Sequence, residues 1–385
     1  MSFSLFSFLM SVLFSTTFIL AIHALRNRPF FLKSFGVHTL LIIYGLCLFR
    51  MVFVIELPIT VPVELRGTFS HTYARIRQYQ VPVGGSGVAI IDVLIFIWIV
   101  VAVALFVRLI WREHISRKQL SPCHKNRSYA AERVLAKVRK KAEDKIFVSV
   151  CVCPDIDTPF GMGIIQRWIY LPDEEYTREE LYYIMKHEYT HFCNRDGIVK
   201  LLTLILCCVF WWNPAVYLLK KDVEQILEIK CDVNATEDFS KKQRLEYLLT
   251  IVRTLKGNPQ PEGGNPPLTA TGLVSRTEHD DIKERFELIT KATKRFGMRY
   301  QAAFVGLAVL VVVLSYTFVL QSAFDPPSEE ILSDDSTVRW DAEDILIIQH
   351  HDMTYSIMLT NGEMHPIDDV TANIYIGAGT KIRKE

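Results

Sequence analysis

The chain has 385 residues, 50% of them hydrophobic, and its mean hydropathy is positive. That balance fits a membrane protein carrying a folded domain and argues against one water-soluble globule. The formal net charge is only +1 at pH 7, so the total charge makes no case for nucleic acid as a partner.

Residues 3–24 are almost wholly apolar, long enough to cross a bilayer core of about 30 Å at about 1.5 Å per residue. No basic residue precedes them, while Arg26, Arg28 and Lys33 follow. This predicts a retained first span with its N-terminus outside, not a cleaved signal peptide. Residues 36–55 read as a second span returning outward, 56–86 as an external loop, and 87–111 as a third span ending at Arg108 and Arg112. Arg50 and Asp92 lie inside the second and third spans. Unpaired charge in hydrocarbon is costly, so pairing across the bundle is expected, with snorkelling to the interface as the alternative.

A basic run follows, from Arg117 and Lys118 through Arg133 to Lys141. It abuts a span, so it reads as a cytoplasmic topology signal and not as a nucleic-acid patch. Lys291, Lys294, Arg295 and Arg299 mark the same side just before a final span at 301–322. None of the eight cysteines falls in 56–86 or 323–385, the two stretches assigned to the outside. Such a distribution fits a reducing compartment and argues against a disulfide scaffold, with Cys151 and Cys153 structural on one strand.

The intervening residues 112–300 are expected to form a cytosolic domain. Residues 126–144 predict a basic amphipathic helix, 146–152 a strand, 154–159 a turn and 163–171 a second strand. An exposed edge of that sheet could receive an extended peptide. Thr177 and Glu180 then form a capping-box pattern that starts a helix. On it His187 and His191 stand at i and i+4 on one face, spaced to share one Zn²⁺, and Glu188 beside them can take a proton from water. The blander reading is a solvated helix with two surface histidines.

A catalytic zinc needs a third protein ligand and an open position. Glu228 is the best downstream candidate. Asp232, four residues on, could hold the second ring nitrogen of a ligating histidine or act as a further ligand. Between the two helices, residues 198–219 are apolar enough for another crossing. A full crossing would carry Glu228 away from the histidines, so a hairpin broken at Pro214, buried or re-entrant, is expected. Five true spans, the alternative, would dismantle the site.

Residues 256–272 form a Pro/Gly loop, and 278–295 a helix back to the membrane. On that helix Arg285 and the nearby His279 could polarise a carbonyl, although solvated side chains are the simpler reading. The remaining 323–385 hold 13 acidic and four basic residues, with strand-like alternation and an Asn361-Gly362 turn. They suggest an outer tail with a small β element, in which His350, His351 and His365 could bind metal or simply be exposed polar groups.

Pro159-Phe-Gly, Ile169-Tyr-Leu-Pro172, His187-Glu188-x-x-His191-x-x-x-x-Asp196, Trp212-Asn213-Pro214 and Glu228-x-x-Cys231-Asp232 occur in one order. The arrangement resembles the BlaR/MecR-type membrane metallopeptidases, an antirepressor family, over roughly residues 1–325. The resemblance implies that His187, His191 and Glu228 ligate zinc, with Glu188 as general base and acid. It makes Asp232 a further ligand or a supporting residue, and Asp196 structural. It also implies an inner protease activated by an outer signal, able to cut itself and leading to removal of a transcriptional repressor. The β-lactam sensors of that family carry a long outer domain with an acylated serine. Here only a short acidic tail stands in that place, so β-lactam sensing is not expected.

The fold expected is thus an α-helical integral membrane protein of the bacterial cell membrane. It has four spans, a buried or re-entrant hairpin and a cytosolic α+β zincin-like domain, with both termini outside. The expected function is zinc endopeptidase, with a non-enzymatic receptor or scaffold and a membrane quality-control protease as alternatives. Expected partners are a protein or peptide substrate, for which a DNA-binding repressor is one candidate, membrane lipid, and a second copy of the chain as a homodimer. No direct nucleic-acid binding is expected.

Overall fold

A computed structural model describes residues 5–26, 29–56, 58, 60–65, 80–83, 86–142, 146–256, 271–272, 285–289, 297–322, 345–350, 354–359, 364–367, 372 and 381–384. His279, His351 and the Asn361-Gly362 turn lie outside these residues. The chain divides into two compact units, Met1–Phe324 and Asp325–Glu385.

The first unit opens with two apolar helices, α1 (Leu5–Arg26) and α2 (Pro29–Val52). α2 breaks at Gly36, whose φ of 77° lies in the left-handed region that glycine tolerates. The short strands β1 (Val61–Leu65), β2 (Gln80–Val83) and β3 (Ser86–Ala89) precede α3 (Ile90–Leu120). Phe6–Arg26, Phe35–Val52 and Ile90–Lys125 are long and apolar enough to cross a membrane. On α3, Phe96, Val103 and Trp111 are exposed, a surface suited to lipid and costly in water.

The expected pairing of Arg50 with Asp92 does not occur. Arg50 donates to the Ser315 hydroxyl and backbone carbonyl, at 2.7 and 3.2 Å, and lies over the Tyr316 ring. Asp92 is exposed in the first turn of α3, where a carboxylate favours the helix dipole.

A 3₁₀ turn, Ser121–Lys125, leads to α4 (Tyr129–Lys141). Ala131, Val134, Leu135 and Val138 form the buried stripe of α4, at the i, i+3, i+4, i+7 spacing of an amphipathic helix. Next come β4 (Ser149–Val152), β5 (Phe160–Met162) and β6 (Trp168–Leu171). β4 pairs parallel with β6, and β5 is an additional strand antiparallel to β6. The 3₁₀ turn packs beside β4, and Cys123 there is bonded to Cys153. The expectation of free thiols fails for this pair, because folding brings together positions 30 residues apart.

α5 (Arg178–Asn194) starts at the expected capping box: Glu180 N–H donates to the Thr177 hydroxyl, and Thr177 N–H to the Glu180 carboxylate. Leu181, Ile184 and Met185 of α5 share a core with the α4 stripe, Val150, Ile169 and Leu171. Fully burying a side chain such as Ile184 contributes about 1.5–3 kcal/mol.

α6 (Asp196–Val209) follows after a single residue, and a turn at 210–213 leads into α7 (Pro214–Ala235). The apolar stretch 198–219 is therefore a hairpin. Pro214 stands at the first position of α7, where its missing N–H costs nothing, and Asn213 caps the helix through Ala215 N–H. α8 (Lys241–Lys256) and β7 (Thr271–Gly272) come next, β7 pairing antiparallel with β5. The expected last span is α9 (Met298–Leu314), 17 residues long, so its helix stops short of 322. Beyond it β8 (Phe318–Ser322) pairs in parallel with β1, at the end of the bundle where α2 also finishes.

In the second unit β9 (Ile345–Gln349), β10 (Tyr355–Leu359), β11 (Met364–Ile367) and β12 (Lys381–Lys384) form one sheet in the order β11-β10-β9-β12. His350 hydrogen-bonds Ser356 there, at 2.9 Å.

Arg195, between α5 and α6, has φ 57°, and among the described residues it is the one non-glycine in the left-handed region. That conformation costs an L-residue about 1–2 kcal/mol, partly offset in glycine by greater freedom in the unfolded chain. Arg195→Gly is expected to stabilise the protein by about 0.5–1 kcal/mol, and Arg195→Val to destabilise it by about 1–2 kcal/mol. Thermal midpoints of the purified variants in detergent check both signs.

Candidate active site

His187 and His191 stand one turn apart on α5, both buried, with their Nε2 atoms 3.1 Å apart. α7 crosses this face and brings Glu228 to them. Its Oε2 lies 3.6 Å from His187 Nε2 and 3.5 Å from His191 Nε2. The expected third residue therefore meets the two histidines at one place.

Two buried groups leave acceptors unmet. Glu228 Oε2 and both carboxylate oxygens of Glu188 accept no hydrogen bond. An unsatisfied carboxylate oxygen in a protein interior is expensive, and a cation between the three donors would remove the cost. Two imidazole nitrogens and one carboxylate oxygen are also a donor set suited to Zn²⁺ with a position left open. The residues fit the ion.

A second grouping, His187, His191 and Cys231, has ligand atoms within 4.8 Å of one another. The Cys231 thiol, however, lies 3.7 Å from His187 Nδ1, the ring nitrogen opposite Nε2, and donates to the His187 backbone carbonyl at 3.2 Å. It packs behind the ring. Glu228 faces the two nitrogens that converge.

Each imidazole is held from its far side. His191 Nδ1 meets Asp196 Oδ2 at 2.7 Å, a contact made possible because the chain turns within one residue at Arg195. His187 Nδ1 meets the Tyr247 hydroxyl at 2.7 Å, and that hydroxyl donates to Asp232 Oδ1 at 2.7 Å. Asp232 itself is 3.3 Å from His187 Nδ1, so its expected grip on the ring runs mainly through Tyr247. Asp196 makes for His191 the contact expected of Asp232.

Charge closes the network. Arg285 binds Asp232 with two hydrogen bonds, at 2.6 and 2.9 Å, and is buried. Neither expectation for Arg285, carbonyl polarisation or solvation, matches this position: a buried carboxylate needs a paired cation, and Arg285 supplies it. Burial alone would raise the Asp232 carboxyl, but the guanidinium holds it down to about 2. Lys200 of α6 lies 3.4 Å from Glu228 Oε1. Burial would raise Glu228 too, yet His191 and Lys200 hold it well below the usual carboxylate range. Burial pushes Glu188 up to about 7, against the opposing pull of both histidines. One carboxylate is thus kept charged for binding, and the other is poised to exchange protons near neutrality.

A cleft of about 220 Å³ opens beside His191, between β5 (Gly161, Met162) and the start of α6 (Gly197, Ile198). Arg167 and Arg195 also line it.

Sequence reasoning missed Tyr247, Lys200 and Lys230, the last of which lies 3.4 Å from Asp196. The lysine inside apolar α6 was a signal, because a cation there needs a buried acid. Tyr247 gave none.

The sequence pattern of the BlaR1 peptidase M56 family matches residues 66–289, more than half of the chain. "Methicillin resistance mecR1 protein" of Staphylococcus aureus is 28% identical over 129 residues, covering 33% of this chain and 22% of that protein. The protein of the same name from Staphylococcus epidermidis gives the same figures. "Regulatory protein BlaR1" of Bacillus licheniformis is 28% identical over 167 residues, covering 43% of this chain and 27% of its own length. The chain therefore spans about a quarter of the length of these relatives.

Groups that orient a metal-binding histidine are worth roughly 10- to 100-fold in affinity. Tyr247→Phe and Asp196→Asn are each expected to weaken Zn²⁺ binding by that factor in a chelator-competition titration. Unchanged affinity in both would mean that the two contacts do not orient the rings.

Proposed function

The chain belongs to the BlaR1 peptidase M56 family, a family of membrane metallopeptidases in signal transduction, and on that footing we propose that it is a zinc endopeptidase acting beside the membrane. One observation carries the reading: a buried carboxylate oxygen without a hydrogen bond faces two imidazole nitrogens, with the buried Glu188 carboxylate beside them in sequence.

His187, His191 and Glu228 hold one zinc ion, in the HExxH…ExxxD manner of gluzincins. When bound, the ion polarises a scissile carbonyl and acidifies water. Glu188 takes the proton from the attacking water and returns it to the departing amine. Asp196, Tyr247 and Asp232 fix the two rings so that both Nε2 atoms point inward. The cleft beside His191 takes a residue flanking the scissile bond.

The substrate lies extended along β5, in the place that Thr271–Gly272 takes there. Thr271–Gly272 of the chain itself pairs with β5 and contacts α5, which favours self-cleavage as one of the reactions. Inactivation of a transcriptional repressor is the physiological outcome proposed. The membrane domain is 1–111, the peptidase domain 112–300 on the cytosolic side, and 301–322 returns the chain to an external tail, 323–385.

Glu188→Gln is expected to retain Zn²⁺ while proteolysis falls by roughly 10²- to 10⁴-fold, the usual worth of a general base. His187→Ala is expected to lose both metal and activity. Comparing protein fragments in cells expressing wild type and Glu188→Gln tests this and identifies the substrate. The same fragments from both would end the assignment of Glu188.

A further inference from the structure

The helix that supplies Glu228 is gripped on another face by a second buried carboxylate. Asp222 lies within the apolar core formed by Ile19, Ile22, Leu40, Ile43, Leu219 and Ile226, and is fully buried. Three donors from the first two apolar helices meet it. Arg26 Nη1 of α1 donates to Oδ1 at 2.5 Å. His23 Nδ1 of α1 lies 2.8 Å from Oδ2, and the Tyr44 hydroxyl of α2 donates to Oδ2 at 2.5 Å. Two turns earlier on α1, the Thr16 hydroxyl accepts from the Asn213 side chain, the N-cap of α7, at 2.8 Å. α1 and α7 therefore run in the same direction and are pinned together at two points.

Asp222 and Glu228 are six residues apart, about 9 Å along the helix and about 240° around it. The two carboxylates thus project from different sides of one rod. Between them the sequence Val-Glu-Gln-Ile-Leu contains neither glycine nor proline, so the helix has no break to absorb a displacement. A buried ion pair is weak evidence for stability, because desolvation offsets the attraction; its best-attested use is to set register.

We propose that Asp222 is a positioning residue: by binding Arg26, His23 and Tyr44 it sets the height and rotation of α7, and through them the distance of Glu228 from His187 and His191. Deepening the zinc-peptidase reading and resting on it, this makes the first two membrane helices part of the metal site without touching it.

The test uses full-length protein in lipid nanodiscs. Zn²⁺ affinity is measured by chelator competition, together with the thermal midpoint of the zinc-free protein. Asp222→Asn, Arg26→Gln and Tyr44→Phe are each expected to weaken Zn²⁺ binding by about tenfold or more, the scale at which indirect partners of ligands act. The visible absorption of the Co²⁺-loaded variants is expected to change with it. Tyr44→Phe removes a single oxygen atom and serves if the charge variants do not fold. Arg50→Gln is the control. It breaks a comparably buried contact between α2 and the end of α9, and is expected to lower the midpoint while affinity stays within about twofold. Wild-type affinity in the three network variants would overturn the proposal, as would an equal loss in Arg50→Gln. His187→Ala in the same assay separates the two levels. If it loses zinc while the network variants keep it, only the role of Asp222 falls; if it keeps zinc, the peptidase reading falls as well.

Discussion

A carboxylate from one helix must meet two imidazoles from another in the protein interior. His187 and His191 come as a pair for free, since any α-helix brings i and i+4 together. Glu228 does not. Its approach requires α6 and α7 to fold back as a hairpin, with α7 lying across α5 at one register. Three ionisable groups packed so closely would be unstable by themselves, because each has lost its hydration. The surrounding shell answers that cost pair by pair: Asp196 with Lys230, Asp232 with Arg285, and Glu228 with Lys200.

The shell also separates the carboxylates by task. Glu228 faces cationic neighbours and stays charged, while Glu188 is buried among weaker influences and sits near neutrality. Neither residue differs in chemistry from the other; what differs is the number of cations within reach. The same contrast explains why an HExxH signature is informative only when its environment is known.

Much of this was legible in the chain. The capping box at Thr177, the spacing of the histidines and the break at Pro214 are local rules, and local rules survive folding. The amphipathic stripe of α4 was legible for the same reason. Partners at long range were not. Tyr247 lies 60 residues from the histidine it holds, and nothing in its own neighbourhood marks it. Arg50 shows the opposite failure. A buried charge was correctly read as needing a partner, but a hydroxyl and a carbonyl at a helix end, with an aromatic face, take the place of an acid. The pairing of Cys123 with Cys153 was hidden likewise, because the inference from compartment says nothing of which thiols a sheet brings together.

The centre is held from two directions, and the two holds differ in kind. α1 and α2 reach it through Asp222, on the same unbroken helix as Glu228. Residues 285–289, which precede α9 in the chain, reach it through Arg285 and Asp232, and from there through Tyr247 to His187. Asp232 lies on α7 as well, four residues beyond Glu228, so this second route holds the helix of the carboxylate ligand and an imidazole together. Both guanidinium contacts thus land on one helix, at Asp222 before Glu228 and at Asp232 after it. An apolar contact could slide continuously, but the two-bond pair of Arg285 with Asp232 tolerates few geometries, and with Asp222 it leaves α7 one height and one rotation at which Glu228 meets the imidazoles.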